Sequence, residues 1–108
     1  MTFAPEYAAQ EPARAAVDGM RGPVLVEFGA PWCSHCQRIQ APLAQVLASR
    51  PEVQHLKVED GKRQPLGRSF GVKLWPTLVL LQGGREIARR VRPTSTVEIE
   101  QLFIGECQ

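Results

Sequence analysis

The sequence has 108 residues, 44% of them apolar, and it contains nine glycines and nine prolines. This composition excludes disordered, collagen-like and low-complexity chains and predicts a single domain over residues 1–108. Thirteen basic and eleven acidic residues give a net charge of +2. Because neither sign forms a long run, we expect no nucleic-acid partner, no binding to anionic lipid, and a monomer.

The apolar stretches are short. The longest covers residues 78–81, whereas a helix that crosses a bilayer needs roughly 18 apolar residues. The first six residues show neither the basic start nor the apolar core of a signal peptide. The sequence therefore predicts no membrane segment and a cytoplasmic location.

Three predicted elements fill the first half of the chain. Apolar residues at helical spacing after Pro12 predict a short helix that stops near Gly19. The β-branched apolar run at residues 24–28 predicts a strand that is covered on both faces and is therefore central. Residues 33–49 carry an apolar helical face, with a kink expected at Pro42.

The second half of the chain continues the alternation of strands and helices and then adds an antiparallel hairpin. Residues 53–58 predict a second strand, followed by a short helix that ends at Gly71. Residues 77–81 and 86–91 predict two antiparallel strands joined by a glycine-bearing hairpin loop. The order βαβα followed by a hairpin predicts an α/β fold with a mixed sheet.

A closing helix is predicted near the end of the chain. Ser95 and Glu98 have the spacing of a capping box, in which Ser95 caps the helix and Glu98 reaches back to it. Ile99, Leu102 and Phe103 then fall on one helical face. We expect this helix to cover the sheet.

Two of the three cysteines, Cys33 and Cys36, lie where the central strand passes into its helix. Cys33 is expected at the helix start, where unpaired backbone N–H groups stabilise a thiolate. Cys36 is expected one turn deeper, within reach of a mixed disulfide at Cys33. The pattern predicts a nucleophilic Cys33, a resolving Cys36, and no cofactor beyond the disulfide that the two form.

Two alternatives stay open on the residues alone. The pair could be two inert core cysteines. The pair could also bind zinc together with His35, His55 or Cys107, although the sequence lacks the second close cysteine pair of a zinc ribbon. We expect no metal site, and we expect Cys107 to be an incidental thiol near the chain end.

Three blocks of the sequence resemble the thioredoxin family, in the order in which that family has them. Residues 24–33 resemble its active-site strand and turn, residues 70–77 its segment ending in a cis-proline, and residues 82–84 its hairpin turn. The resemblance covers residues 24–103. It implies a thioredoxin fold, with a four- or five-stranded sheet flanked by helices on both faces, that exchanges disulfides with protein clients and is re-reduced by a flavin-containing reductase.

The resemblance also implies a proton relay behind the cysteines. Glu27 is the single charged residue in the apolar strand and matches the buried acid of the family, which takes the proton from Cys36. Lys57, on the neighbouring predicted strand, matches the lysine partner of that acid. We therefore expect Glu27 and Lys57 to manage the proton of the resolving thiol.

The client-binding residues are likewise implied by the resemblance. Pro76 is expected to follow a cis peptide bond and to lie beside Cys33, with the backbone of Trp75 available to pair with an extended client peptide. Trp32, immediately before Cys33, is expected on the client-facing surface.

Ser34 and His35 separate the two cysteines and are expected to tune their potential. A protonated His35 beside Cys33 favours the thiolate and makes the couple more oxidising, whereas the missing signal peptide favours a reductant. We expect an enzyme that reduces protein disulfides. The alternatives are a more oxidising oxidase or isomerase, and a non-catalytic interaction module.

Overall fold

The computed structural model describes residues 2–107, with side chains as far as Ile104, so the side chain of Cys107 lies outside the described residues. Within this part of the chain, no helix is long and apolar enough to cross a membrane. The elements in chain order are α1 (Arg14–Asp18), β1 (Pro23–Gly29), α2 (Ser34–Arg38), α3 (Gln40–Ala48), β2 (Gln54–Glu59), α4 (Pro65–Ser69), β3 (Thr77–Gln82), β4 (Arg85–Val91), α5 (Thr96–Glu100) and a C-terminal 3₁₀-helix (Gln101–Cys107).

Four strands form one mixed sheet in the order β2-β1-β3-β4. β1 is parallel to β2 and antiparallel to β3, while β3 and β4 are antiparallel. The register places Glu27 on β1 opposite Lys57 on β2. The predicted central position of β1 and the mixed sheet are confirmed, and four is the number of strands.

Helices cover both faces of the sheet, which explains why β1 is almost entirely apolar. Leu25 joins the apolar layer beneath α3 and α5, whereas Val24, Val26 and Phe28 join the layer beneath α1 and α4. Successive strand residues point to opposite faces, so Glu27 shares the face of Leu25. A carboxylate is thereby placed under the helices that follow the cysteines.

The helix that follows Cys33 is broken into two. α2 ends at Arg38, and α3 begins at Gln40. Pro42 explains the break, because it has no N–H for the Arg38 carbonyl and its ring clashes with that carbonyl in regular helix geometry. The predicted kink is therefore confirmed, with the break itself at Ile39, three residues before the proline.

The β3–β4 hairpin turns on Gly83 and Gly84, whose φ angles are 59° and 81°. A two-residue turn of this hand requires a positive φ at both positions, which glycine adopts without steric cost. The predicted antiparallel pair is confirmed.

One predicted detail is corrected. The Ser95 hydroxyl accepts the Glu98 N–H at 3.2 Å as expected, but the Glu98 carboxylate accepts the Thr94 hydroxyl at 2.8 Å instead of reaching back to Ser95. The neighbouring hydroxyl supplies a closer donor for that carboxylate. The predicted short first helix is confirmed: α1 has five residues, ends at a Gly19 cap and buries Val17.

Candidate active site

The two cysteines lie at the start of α2, immediately beyond the carboxyl end of β1. Cys33 is the N-cap residue, and its sulfur accepts the backbone N–H of Cys36 at 3.3 Å. This contact directs the partial positive charge of the helix start toward the Cys33 sulfur. Both cysteines are free thiols in the structure.

The surroundings of the two sulfurs differ. Cys33 retains 7% of its exposure, whereas Cys36 retains 1%. Burial, together with the hydrogen bond and charge of Cys33 and the charge of Glu27, raises the pKa of Cys36 to about 12, and a backbone hydrogen bond at Ala30 offsets part of this rise. Cys36 is therefore a protonated thiol at neutral pH, held behind Cys33.

Two tryptophans form the surface beside Cys33. Trp32 is 72% exposed, and its ring meets Trp75 edge-on with centroids 5.3 Å apart. Trp75 packs against the buried cysteines, and its indole N–H donates to Asp60 at 2.8 Å. The structure thus places Trp32 at the surface and Trp75 partly beneath it.

The backbone next to this surface is as predicted in one respect and different in another. The peptide bond between Trp75 and Pro76 is cis. The carbonyl of Trp75, expected to be available for a client, accepts a hydrogen bond from Arg92 Nε at 2.8 Å. The Arg92 side chain follows β4 and reaches across to this segment, which no local pattern indicates.

Behind Cys36 lies a buried polar network centred on Glu27. Its Oε1 contacts His55 Nε2 at 2.9 Å, and its Oε2 accepts Gln40 Nε2 at 2.8 Å. Lys57 Nζ donates to Gln40 Oε1 at 2.8 Å. The expected pairing of Glu27 with Lys57 is corrected: the structure joins them through Gln40, because the amide inserts between the two charges.

Both partners of Glu27 were missed by the sequence analysis: Gln40, and His55, which lies on β2. Its Nδ1 accepts the backbone N–H of Ala4 at 2.8 Å, so the ring proton is assigned to Nε2 and the imidazole is neutral. The available signal was strand periodicity, since His55 and Lys57 are two residues apart on β2 and share a face.

The zinc alternative is not supported by this arrangement. Both ring nitrogens of His55 are already engaged, and His35 is exposed. Among the residues that the structure describes, no three side chains of the types that bind metals cluster together. Ser34 and His35 both lie on the exposed side of α2.

Comparisons with known proteins agree with this geometry. The family model described as "Thioredoxin" matches residues 6–103. The reduced form of thioredoxin 2 from Pseudomonas aeruginosa PAO1 is 58% identical, with a TM-score of 0.81 and 90% of each chain covered.

Two curated relatives match over shorter segments. Thioredoxin C-3 of Corynebacterium nephridii is 34% identical over 80% of this chain and 59% of its own length. Protein disulfide-isomerase erp38 of Neurospora crassa is 42% identical over 59% of this chain and 18% of its own length, so the chain spans less than two thirds of either relative. Thioredoxin-family proteins are thiol–disulfide oxidoreductases that work through a redox-active disulfide and need no added cofactor. On the family match and the geometry of Cys33 and Cys36, this chain belongs to the thioredoxin family.

Proposed function

We propose that this protein reduces protein disulfides by dithiol–disulfide exchange through Cys33 and Cys36. The observation that carries the proposal is the asymmetry of the pair. Cys33 caps a helix, accepts a backbone N–H at its sulfur and remains 7% exposed. Cys36, one turn behind it, is 1% exposed and is a protonated thiol. Dithiol exchange needs one thiol that attacks the client disulfide and a second thiol that then releases the client. This arrangement supplies both.

The reaction proceeds in two exchanges. The Cys33 thiolate attacks a client disulfide, forms a mixed disulfide and expels one client sulfur as a thiolate. Cys36 then loses its proton toward Glu27, whose charge acts on this thiol, and attacks the Cys33 sulfur. The second client sulfur leaves as a thiolate, and the protein retains a Cys33–Cys36 disulfide. Lys57 supports Glu27 through the amide of Gln40.

The client is bound beside Cys33. Trp32 supplies an exposed apolar ring, while Trp75 and Pro76 supply the backbone segment against which an extended peptide aligns. Arg92 Nε donates to the Trp75 carbonyl in the free protein, so a client donor at this oxygen either uses its second lone pair or displaces the guanidinium. A monomer of one domain suffices for this chemistry, with a flavin-containing reductase restoring the dithiol in the reducing cytoplasm.

A more oxidising activity is the second candidate, and His35 is the observation that favours it. His35 is exposed between the two cysteines, and an imidazolium at this position would stabilise the thiolate relative to the disulfide. Ser34 precedes it on the same turn. One of the relatives, erp38, is named a protein disulfide-isomerase.

An equilibrium titration against glutathione separates the two candidates. We expect a potential near about −270 mV, as for a reductant, and a value between about −180 and −120 mV would replace the proposal with the oxidising one. Tryptophan fluorescence reports the redox state, because Trp32 and Trp75 lie beside the cysteines. A His35→Pro variant, expected to have a lower potential, measures how far the imidazole sets the value.

A further inference from the structure

The chain before α1 crosses the active-site side of β2 as an N-terminal strap, which we define as residues 4–8. Three hydrogen bonds fasten it: Ala4 N–H to His55 Nδ1 at 2.8 Å, Lys57 Nζ to the Pro5 carbonyl at 2.9 Å, and Ala8 N–H to the Lys57 carbonyl at 2.8 Å. The strap is therefore bound to the same two β2 residues that belong to the buried polar network.

Tyr7 is the strap residue that reaches the cysteines. Lys57 Nζ lies 4.7 Å from the centroid of its ring, and the Tyr7 hydroxyl oxygen and the Cys36 sulfur both border the position at which Gly29 would carry a Cβ. Tyr7, Cys36 and Lys57 also line one cavity of about 450 Å³. The phenol of Tyr7 and the resolving sulfur therefore face the same cavity.

Gly29 provides the room for this contact. A Cβ built on Gly29 would lie 2.6 Å from the Cys36 sulfur and 3.1 Å from the Tyr7 hydroxyl oxygen. Any side chain at position 29 would therefore press on both atoms. Because Gly29 has no side chain, the Tyr7 hydroxyl and the Cys36 sulfur can both lie next to the end of β1.

The chemical state of Tyr7 limits what it can do there. Burial, followed by the charges of Cys36 and Glu27, raises the pKa of Tyr7 far above its ordinary value. A phenol that stays protonated cannot serve as the base for Cys36. It can donate its single O–H to an anion.

We propose that Tyr7 donates its O–H to the Cys36 sulfur as that sulfur becomes a thiolate, and thereby accelerates resolution of the mixed disulfide. The proposal rests on the dithiol exchange described under the proposed function. Cys36 loses its proton toward Glu27, its electron pair forms the bond to the Cys33 sulfur, and the client thiolate leaves with the electrons of the broken S–S bond. Tyr7 keeps its proton throughout.

A Tyr7→Phe variant removes the hydroxyl and keeps the ring over Lys57. Reduced protein is mixed with oxidised glutathione, quenched rapidly in acid, and analysed by mass for the glutathione adduct on Cys33. We expect the adduct to form at the wild-type rate. We expect it to decay roughly tenfold more slowly, with its pH profile moved to higher pH, because hydrogen bonds to charged groups contribute at least the 1.36 kcal/mol that equals a factor of ten.

A matched control removes a hydroxyl elsewhere. Ser49→Ala deletes the partly buried hydroxyl that donates to the Val46 carbonyl at 3.0 Å, and we expect both rates to be unchanged. Decay of the Tyr7→Phe adduct within twofold of wild type would overturn the role of Tyr7. A wild-type protein that forms neither the adduct nor the Cys33–Cys36 disulfide would instead overturn the proposed function, and the role of Tyr7 with it.

A second measurement does not depend on how the variant folds. Tyr7 is the single tyrosine of the sequence, so growth on 3-fluorotyrosine labels this position alone. Fluorine makes the phenol a stronger donor, and we expect faster adduct decay and a change in the fluorine resonance when Cys36 is oxidised. An unchanged decay rate together with an unchanged resonance would contradict the proposal.

Discussion

The two sides of the Cys33–Cys36 pair are built from different parts of the molecule. On the Cys33 side, a helix start and two tryptophans form an accessible apolar surface. On the Cys36 side, a buried polar network centred on Glu27 joins β1 and β2 to the N-terminal strap, and Tyr7 of the strap lies beside Lys57 and Cys36. Cys33 and Cys36 are thus one helical turn apart in different surroundings. The Cys33 sulfur faces a helix start, whereas the Cys36 thiol keeps its proton.

Replacing each sulfur in turn is the strongest test of this difference. Cys33→Ser is expected to lower the rate of disulfide exchange on the order of 10³-fold or more, because it removes the nucleophile. Cys36→Ser is expected to keep the first exchange and to accumulate the mixed disulfide. Mass analysis after mixing with oxidised glutathione checks both variants. An adduct that accumulates in Cys33→Ser would reverse the two assignments.

His55 is buried and His35 is exposed, so the same substitution at each position tests how much the buried network contributes to stability. His55→Phe is expected to lower the free energy of unfolding by about 3 kcal/mol, because Glu27 loses one of its buried donors and the Ala4 N–H loses its acceptor. His35→Phe, on the exposed side, is expected to change it by less than about 0.5 kcal/mol. Urea unfolding measures both, and equal losses would contradict the network described above.

Because Cys36 keeps its proton, we expect the stability of the reduced protein to depend on pH. Because the folded state raises the pKa of Cys36 from 9.0 to about 12, its contribution to stability is complete below pH 9 and is lost as the pH rises toward 12. The expected loss is on the order of 2–4 kcal/mol. Cys36→Ala should show a shallower decline in urea unfolding at each pH. Parallel curves would contradict the prediction.

The client surface is expected to contribute little to stability. Trp32→Ala is expected to cost about 1 kcal/mol or less, the energy of one edge-on aromatic contact. Its KM for a protein disulfide should rise several-fold with little change in kcat, because the exposed ring binds the client. Ile87→Ala, an exposed apolar residue on β4, is the control and should leave KM unchanged. A KM that also stays unchanged in Trp32→Ala would remove Trp32 from the client site.

Much of the fold could be predicted from the sequence because its signals are local. The apolar run of β1, the glycines at 83 and 84 and the proline at 42 each act within a few residues, and each led to an element that the structure contains. The position of Cys33 at a helix start follows from the same local order of strand, turn and helix. The sequence predicted the helix kink, and the structure showed that the break lies at Ile39.

The partners of the buried groups could not be predicted in the same way. Glu27 contacts His55 from 28 residues away, Lys57 is separated from it by an amide, and Tyr7 reaches Cys36 from a strap without regular secondary structure. The sequence by itself determined the dithiol, its place at a helix start and the β3–β4 hairpin, because backbone geometry within one or two turns decides them. Only the tertiary structure decided which polar side chains surround the resolving thiol, because those contacts depend on how distant segments pack and on which donor lies within hydrogen-bond reach.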